Sequence, residues 1–134
     1  MIGRVAVKIN KTTPIISVES IESSLPFWTE SLGYTKTVEV PHKGKLGFVI
    51  LVKDGLEVML QTQESVRDDL PQIADHFRPG SFCLYSDVDS VEAAAKALKG
   101  AQVIVPIRTT PYGAREIWVR NQDGNILGFA EFKD

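Results

Sequence analysis

The chain has a single cysteine, Cys83, and only two histidines, His42 and His76, in 134 residues. One thiol cannot form an intrachain disulfide, so no disulfide framework holds the fold. It also excludes the cysteine-rich zinc motifs, which need at least two thiolates at set spacing. An excess of charge of one sign is lacking too. The 15 basic and 17 acidic side chains leave a formal net charge of -2, whereas a nucleic-acid binder shows a basic stripe. The longest uninterrupted apolar run is Phe48-Val49-Ile50-Leu51-Val52, far short of the roughly 20 residues that span a bilayer. The opening Met1-Ile2-Gly3-Arg4-Val5 has no signal-peptide apolar core. The resulting expectations are no nucleic-acid partner, no membrane and a cytoplasmic location.

The composition is 43% apolar and 24% charged, average for a soluble globular domain. The length suits one domain with a core of its own. Residues 12–18 read as a strand. Ser20 is placed to cap a helix over 21–32, with Ile21, Leu25, Trp28 and Leu32 on one face. Gly33 ends it, free to take the left-handed conformation. Strands follow at 35–41, 46–53 and 56–62, separated by turns at 41–45 and 53–55, the second carrying the hairpin signal Asp54-Gly55. Residues 63–80 are more polar and read as a linker with a helix over 66–77, broken by Arg78-Pro79-Gly80. The order then repeats. A strand at 81–86 precedes a helix over 87–99 with Val91, Ala94, Ala95 and Leu98 on one face; Gly100 ends it, and strands follow at 102–109, 114–120 and 126–132. The fold class is therefore α+β, with two βαβββ modules (12–62 and 81–132) in one domain. Such a unit leaves one sheet face bare, and two of them can curve a mixed sheet around a cavity. Whether the modules pair within a chain or between chains is open. Residues 4–10, with Val5, Val7 and Ile9 alternating, suggest an extra edge strand or an extended arm.

Three segments resemble the vicinal oxygen chelate superfamily, which holds glyoxalase I, fosfomycin-resistance enzymes, extradiol dioxygenases and bleomycin-resistance proteins. Ser24-Leu25-Pro26-Phe27-Trp28-Thr29-Glu30-Ser31-Leu32-Gly33-Tyr34 resembles the family's first helix. Pro111-Tyr112-Gly113-Ala114-Arg115-Glu116-Ile117-Trp118-Val119-Arg120 resembles its "Y-G-x-R-E" strand. Asn121-Gln122-Asp123-Gly124-Asn125 resembles its "D-P-D-G-N" turn, with Asn and Gln replacing Asp and Pro. Together they cover about 12–132, and the Phe27-Trp28 pair leans towards the bleomycin-resistance-like branch. The family spans isomerases, transferases, oxygenases and pure binding proteins, so the resemblance implies a fold more sharply than a reaction.

Catalytic members hold one divalent metal on the concave face, as a Lewis acid for two neighbouring substrate oxygens. Carried over position by position, the usual histidines fall at Thr13 and Ser81 and the last-strand glutamate at Gly128. Glu57 is the one matching carboxylate. Hydroxyls and a glycine do not replace imidazole and carboxylate, and His42 and His76 sit in a turn and in the linker helix. The expectation is no cofactor, with a divalent metal as the alternative.

Strand alternation sorts the remaining candidates. Leu56, Val58, Leu60, Phe82, Leu84, Ile117 and Val119 read as core. Thr13, Ile15, Ser17, Glu57, Met59, Gln61, Ser81, Cys83, Tyr85, Glu116, Trp118, Arg120, Ile126, Gly128 and Ala130 fall on the cavity side. Tyr112 sits on a turn that either covers the cavity mouth or is an ordinary connection. Each candidate also has a plain structural role: Trp118 as a subunit contact, Met59 as core filler, Glu57 as a solvated carboxylate, Cys83 as a small buried apolar residue. The mixture of aromatics, a thioether and a few polar groups suits a mid-sized organic ligand. Three functions are compatible with this lining: a metal-free small-molecule binding protein of the bleomycin-resistance-like kind, a glyoxalase- or dioxygenase-type enzyme with an atypical ligand set, and a regulatory or assembly module with a vestigial cavity. The net charge of -2 gives no strong field for a cationic drug. The resemblance also implies a symmetric homodimer.

Overall fold

Ser20 and Ser90 start the two principal helices through the same bond. Each serine Oγ accepts the backbone N–H three residues on, Ser23 at 3.2 Å and Ala93 at 3.1 Å, which satisfies one of the orphan donors of a first helical turn. The structure is a computed structural model and describes residues 7–132. The described residues divide into two compact units: residues 13–82, and residues 83–132 together with residues 7–12.

In the first unit, β1 (Ile9–Val18) from Thr13 on, α1 (Ile21–Pro26), β2 (Thr35–His42), β3 (Lys45–Lys53) and β4 (Leu56–Thr62) follow in order. The strands lie side by side as β2-β3-β4-β1. β1 runs parallel to β4 with Ile15 opposite Met59, and the other pairs are antiparallel. The turn expected over 41–45 is tighter: Pro41 and His42 remain in β2, and Lys43-Gly44 alone make the turn, with φ of 52° and 81°. Asp54-Gly55 repeat this at 52° and 79°, the paired left-handed residues that a two-residue hairpin needs.

The α1 face packs on one sheet side. Ile21, Val49, Leu51, Val58 and Leu60 are buried together, with Leu25, Trp28 and Tyr34 against them; each fully buried aliphatic contributes about 1.5–3 kcal/mol. The single helix expected over 21–32 ends early. Pro26 has no N–H to donate, and the chain widens into a π turn, Phe27–Ser31. The wider turn rotates the residues after it, so Leu32 is exposed and Tyr34 takes its place on the core. Leu56, expected in the core, is also exposed, at the end of its hairpin.

Residues 63–80 belong to this unit. They form α2 (Gln63–Asp69) and α3 (Pro71–Ala74) rather than one helix over 66–77, because Pro71 begins a new helix. Ser17, buried in β1, donates its hydroxyl to the Phe77 carbonyl at 2.8 Å.

The second unit repeats the order with β5 (Phe82–Val88), α4 (Val91–Ala97), β6 (Gln102–Thr109), β7 (Arg115–Arg120) and β8 (Ile126–Glu131), arranged β5-β8-β7-β6. β5 runs parallel to β8, and the other pairs are antiparallel. Val91 of α4 packs on Ile117 and Val119, with Ile107, Leu127 and Phe129 around them. Two expectations need correction. Asp87 and Val88 end β5 and the helix starts after Ser90, since that serine supplies the cap. Phe82, expected in the core, is 64% exposed at the strand's first position. The suggested N-terminal arm falls partly outside the described residues; its end, Ile9 and Asn10, is the beginning of β1, tied to this unit by Asn10 Nδ2 donating to Asp89 Oδ1 at 2.9 Å.

A candidate site around the buried carboxylate of Glu116

In β7 the side chains alternate. Ile117 and Val119 face α4, so Glu116 and Trp118 face the other side. Glu116 is 1% exposed. Burying a carboxylate is costly unless its oxygens find donors, and here both do. Oε1 accepts the Tyr85 hydroxyl at 2.7 Å and the Tyr112 hydroxyl at 3.2 Å. Oε2 accepts the Trp118 indole Nε1–H at 2.7 Å, Arg108 Nε–H at 3.0 Å and Arg108 Nη2–H at 2.9 Å. The donors come from β5, β6, β7 and the turn before β7, so one carboxylate ties four segments together.

That turn is closed at its base. Thr110 N–H donates to the Ala114 carbonyl at 2.7 Å, and Ala114 N–H donates to Thr110 Oγ1 at 2.9 Å. Between them Gly113 adopts φ of 88°. The turn carries Tyr112, 62% exposed, with its ring stacked on Phe132, centroids 6.3 Å apart, while its hydroxyl reaches inward to Glu116. Tyr85 differs: its ring is buried, tilted against Trp118 at 5.5 Å. Burial first, then the negative charge of Glu116, raises its pKa, so Tyr85 stays a neutral donor.

Trp118 lies opposite Gly128 across the β7–β8 ladder. A Cβ on Gly128 would meet three indole ring carbons at 2.8–2.9 Å, so the indole occupies the space that a side chain at 128 would take.

In the first unit, Thr13, Ile15, Met59 and Gln61 lie on one face of the β1–β4 pair with Glu57. Thr13 is buried and donates to Glu57 Oε1 at 3.0 Å. Ile15 and Met59 are buried neighbours, and Gln61 donates to Ser65 Oγ at 3.2 Å. Ser81 precedes β5 and turns its hydroxyl to the Arg78 carbonyl at 2.6 Å. Cys83 is buried, and burial pushes its thiol up to about 12.

The caps refine the positions at which the family places metal ligands. Thr13 stands seven residues before its cap Ser20, and seven before Ser90 stands Cys83, not Ser81. The residues five before the caps, Ile15 and Tyr85, pair with Met59 and Gly128, so the counterpart of Gly128 in the first unit is Met59 and not Glu57. The four positions therefore hold a hydroxyl committed to Glu57, a thioether, a protonated thiol and a glycine under an indole. These do not fit a divalent metal that asks for imidazole and carboxylate. Among the described residues no group of three His, Cys, Asp or Glu side chains could hold a metal ion. His42 pairs with Asp68 at 2.6 Å and His76 is exposed.

Arg108 escapes a reading by strand alternation for a physical reason. β6 shifts register between Val105 and Arg108, so Val105 pairs with Trp118 and Arg108 with Glu116. Strict alternation from Val105 would put Ile107 beside Glu116; the bulge sends Ile107 to the α4 core instead. Pro106 inside the strand was the available signal, because proline sits at bulges and edges.

These two strand-helix-three-strand units define an α+β protein of the glyoxalase type. The chain belongs to the Glyoxalase/Bleomycin resistance protein/Dioxygenase superfamily, whose pattern matches residues 8–129. A glyoxalase/bleomycin resistance protein/dioxygenase superfamily member from Vibrio splendidus 12B01 superposes with a TM-score of 0.69 at 19% identity, covering 92% of this chain and 99% of that one. A hypothetical protein from Bacillus halodurans C-125 gives 0.73 at 20%, covering 96% of each. Methylmalonyl-CoA epimerase from Mycobacterium tuberculosis gives 0.70 at 16%, covering 100% of this chain and 93% of that one. Likeness at these identities shows the fold. No curated protein matches the sequence. Among the described residues no helix is long and apolar enough to cross a membrane.

Proposed function

We propose that this chain is a metal-independent binding protein for a small organic molecule, held against the wall that Glu116 organises. One observation carries the reading: a carboxylate 1% exposed spends both oxygens on Tyr85, Tyr112, Trp118 and Arg108, and so fixes the Tyr85 phenol, an indole and a guanidinium in one place, with the Tyr112 hydroxyl as a longer, looser fourth donor. Preorganised aromatic and polar groups of this kind orient a ligand at low entropic cost. The side chains at Thr13, Met59, Cys83 and Gly128 support the metal-independent part, because none offers the donors a Lewis-acid site uses. In this reading the protein works as a cytoplasmic homodimer whose second copy completes the cleft, and the buried free Cys83 suits a reducing compartment.

The test uses protein made without chelators or a histidine tag. Elemental analysis is expected to find substoichiometric nickel, zinc, iron and manganese, and added metal is expected to leave ligand binding unchanged. Native mass spectrometry is expected to show a dimer carrying a co-purified small molecule. Stoichiometric metal with metal-dependent turnover refutes the reading and favours a lyase- or dioxygenase-type enzyme. A panel that includes bleomycin decides whether drug capture belongs to it.

A further inference from the structure

The donors on Glu116 are unequal. Tyr85 donates to Oε1 at 2.7 Å from a buried ring. Tyr112 reaches the same oxygen at 3.2 Å and also lies 3.2 Å from the Tyr85 hydroxyl. Its single hydrogen serves one of these at a time, and both distances are long for an O–H···O bond. Tyr112 is 62% exposed and rides on a turn with a left-handed glycine beside it. Oε2 is different: three short donors fill it, two of them from Arg108. Tyr112 is therefore the most weakly held donor on the carboxylate, and it is the one facing solvent.

We infer that the Tyr112 hydroxyl holds the place of a ligand's hydrogen-bond donor on Glu116 Oε1, and that the ligand class is a planar molecule bearing a neutral or cationic N–H or O–H. This rests on the proposed binding function and names its ligand chemistry. The ligand donates to Oε1 where Tyr112 does now, Tyr112 swings outward on the 110–114 turn, and the planar body takes the place its ring leaves against Phe132. An anionic ligand is disfavoured. It would approach a carboxylate oxygen, while the guanidinium of Arg108 already spends Nε–H and Nη2–H on Oε2. The swap costs the ligand the bond that Tyr112 gives up, which sets the sign of the test.

The probes are benzamidine, indole and benzoate, titrated into the full chain and followed by calorimetry. Benzamidine and indole are expected to bind, and benzoate to bind at least about tenfold more weakly, the scale of a charge-assisted hydrogen bond. Tyr112→Phe removes the competing hydroxyl at an exposed residue and is expected to tighten benzamidine roughly three- to tenfold. A benzoate affinity equal to that of benzamidine overturns the ligand class and leaves the binding function standing. Weaker benzamidine binding by Tyr112→Phe overturns the placeholder role, since it makes the hydroxyl a direct contact. No heat with any of the three probes overturns this inference, whereas the co-purified molecule decides the binding function separately. Thermal melting of Tyr112→Phe at the parent temperature guards against a folding defect.

Discussion

The indole of Trp118 lies across Gly128, its partner on the neighbouring strand, with ring carbons 2.8–2.9 Å from where a Cβ would stand. The indole cannot retreat freely, because its Nε1–H is bonded to Glu116 at 2.7 Å. Gly128→Ala should therefore destabilise the protein by about 1–3 kcal/mol, the usual cost of overpacking a filled core. Urea unfolding measures this, and an unchanged midpoint would show that the ring yields. Trp118→Val by itself costs stability, since it removes a donor from Glu116, but in that background the further cost of Gly128→Ala should shrink, because the obstructing ring is gone.

Glu116→Gln keeps the shape but removes the charge and replaces one acceptor with an NH2 donor that faces other donors. The expected loss is about 3 kcal/mol, the low end for stripping one partner from a buried pair, because Arg108 retains 24% of its side-chain exposure. Denaturant titration reads the loss, and Trp118 fluorescence should shift as its indole loses its acceptor. A stability within error of the parent would refute the role of Glu116 as the tie between β5, β6 and β7.

Cys83 should be inert in the folded protein. Burial pushes its thiol from an ordinary value of 9.0 up to about 12, and the protonated thiol is a poor nucleophile. Iodoacetamide at neutral pH is expected to label it only after unfolding. Because the folded value is raised, the folded chain holds the proton longer than the unfolded one. Stability from this group is complete below pH 9 and falls as pH rises through about 12. Labelling of native protein at the rate of unfolded protein would contradict the burial.

Asp68 is held below its ordinary value of 3.8, first by its hydrogen bond from His42 and then by Lys43. A lowered carboxyl stabilises the fold above the ordinary value and loses that contribution as pH falls through the lowered one. His42→Ala should raise the Asp68 pKa towards 3.8, read by carboxyl NMR titration. An unmoved titration would assign the shift to Lys43 alone.

Much of the fold was legible in the chain. Ser20, Gly33, Asp54-Gly55 and Gly100 mark helix ends and turns by local chemistry, and period-two alternation placed Ile117 and Val119 under α4 and Glu116 and Trp118 opposite them. Local rules failed where one residue changed the phase. Pro26 opened a π turn and moved Leu32 off the core, and the β6 bulge at Pro106 moved Arg108 beside Glu116. A phase error of one residue reverses the face of every later side chain in the strand.

By itself the sequence determined the repeated strand-helix-three-strand order, the capped helix starts and the residue types available for chemistry, because these depend on neighbours a few positions apart. Only the tertiary structure decided which of those residues meet. Tyr85, Arg108, Tyr112 and Trp118 come from four segments spread over residues 85–118, and they converge because Glu116 is buried and a buried carboxylate must be answered from whatever strands surround it.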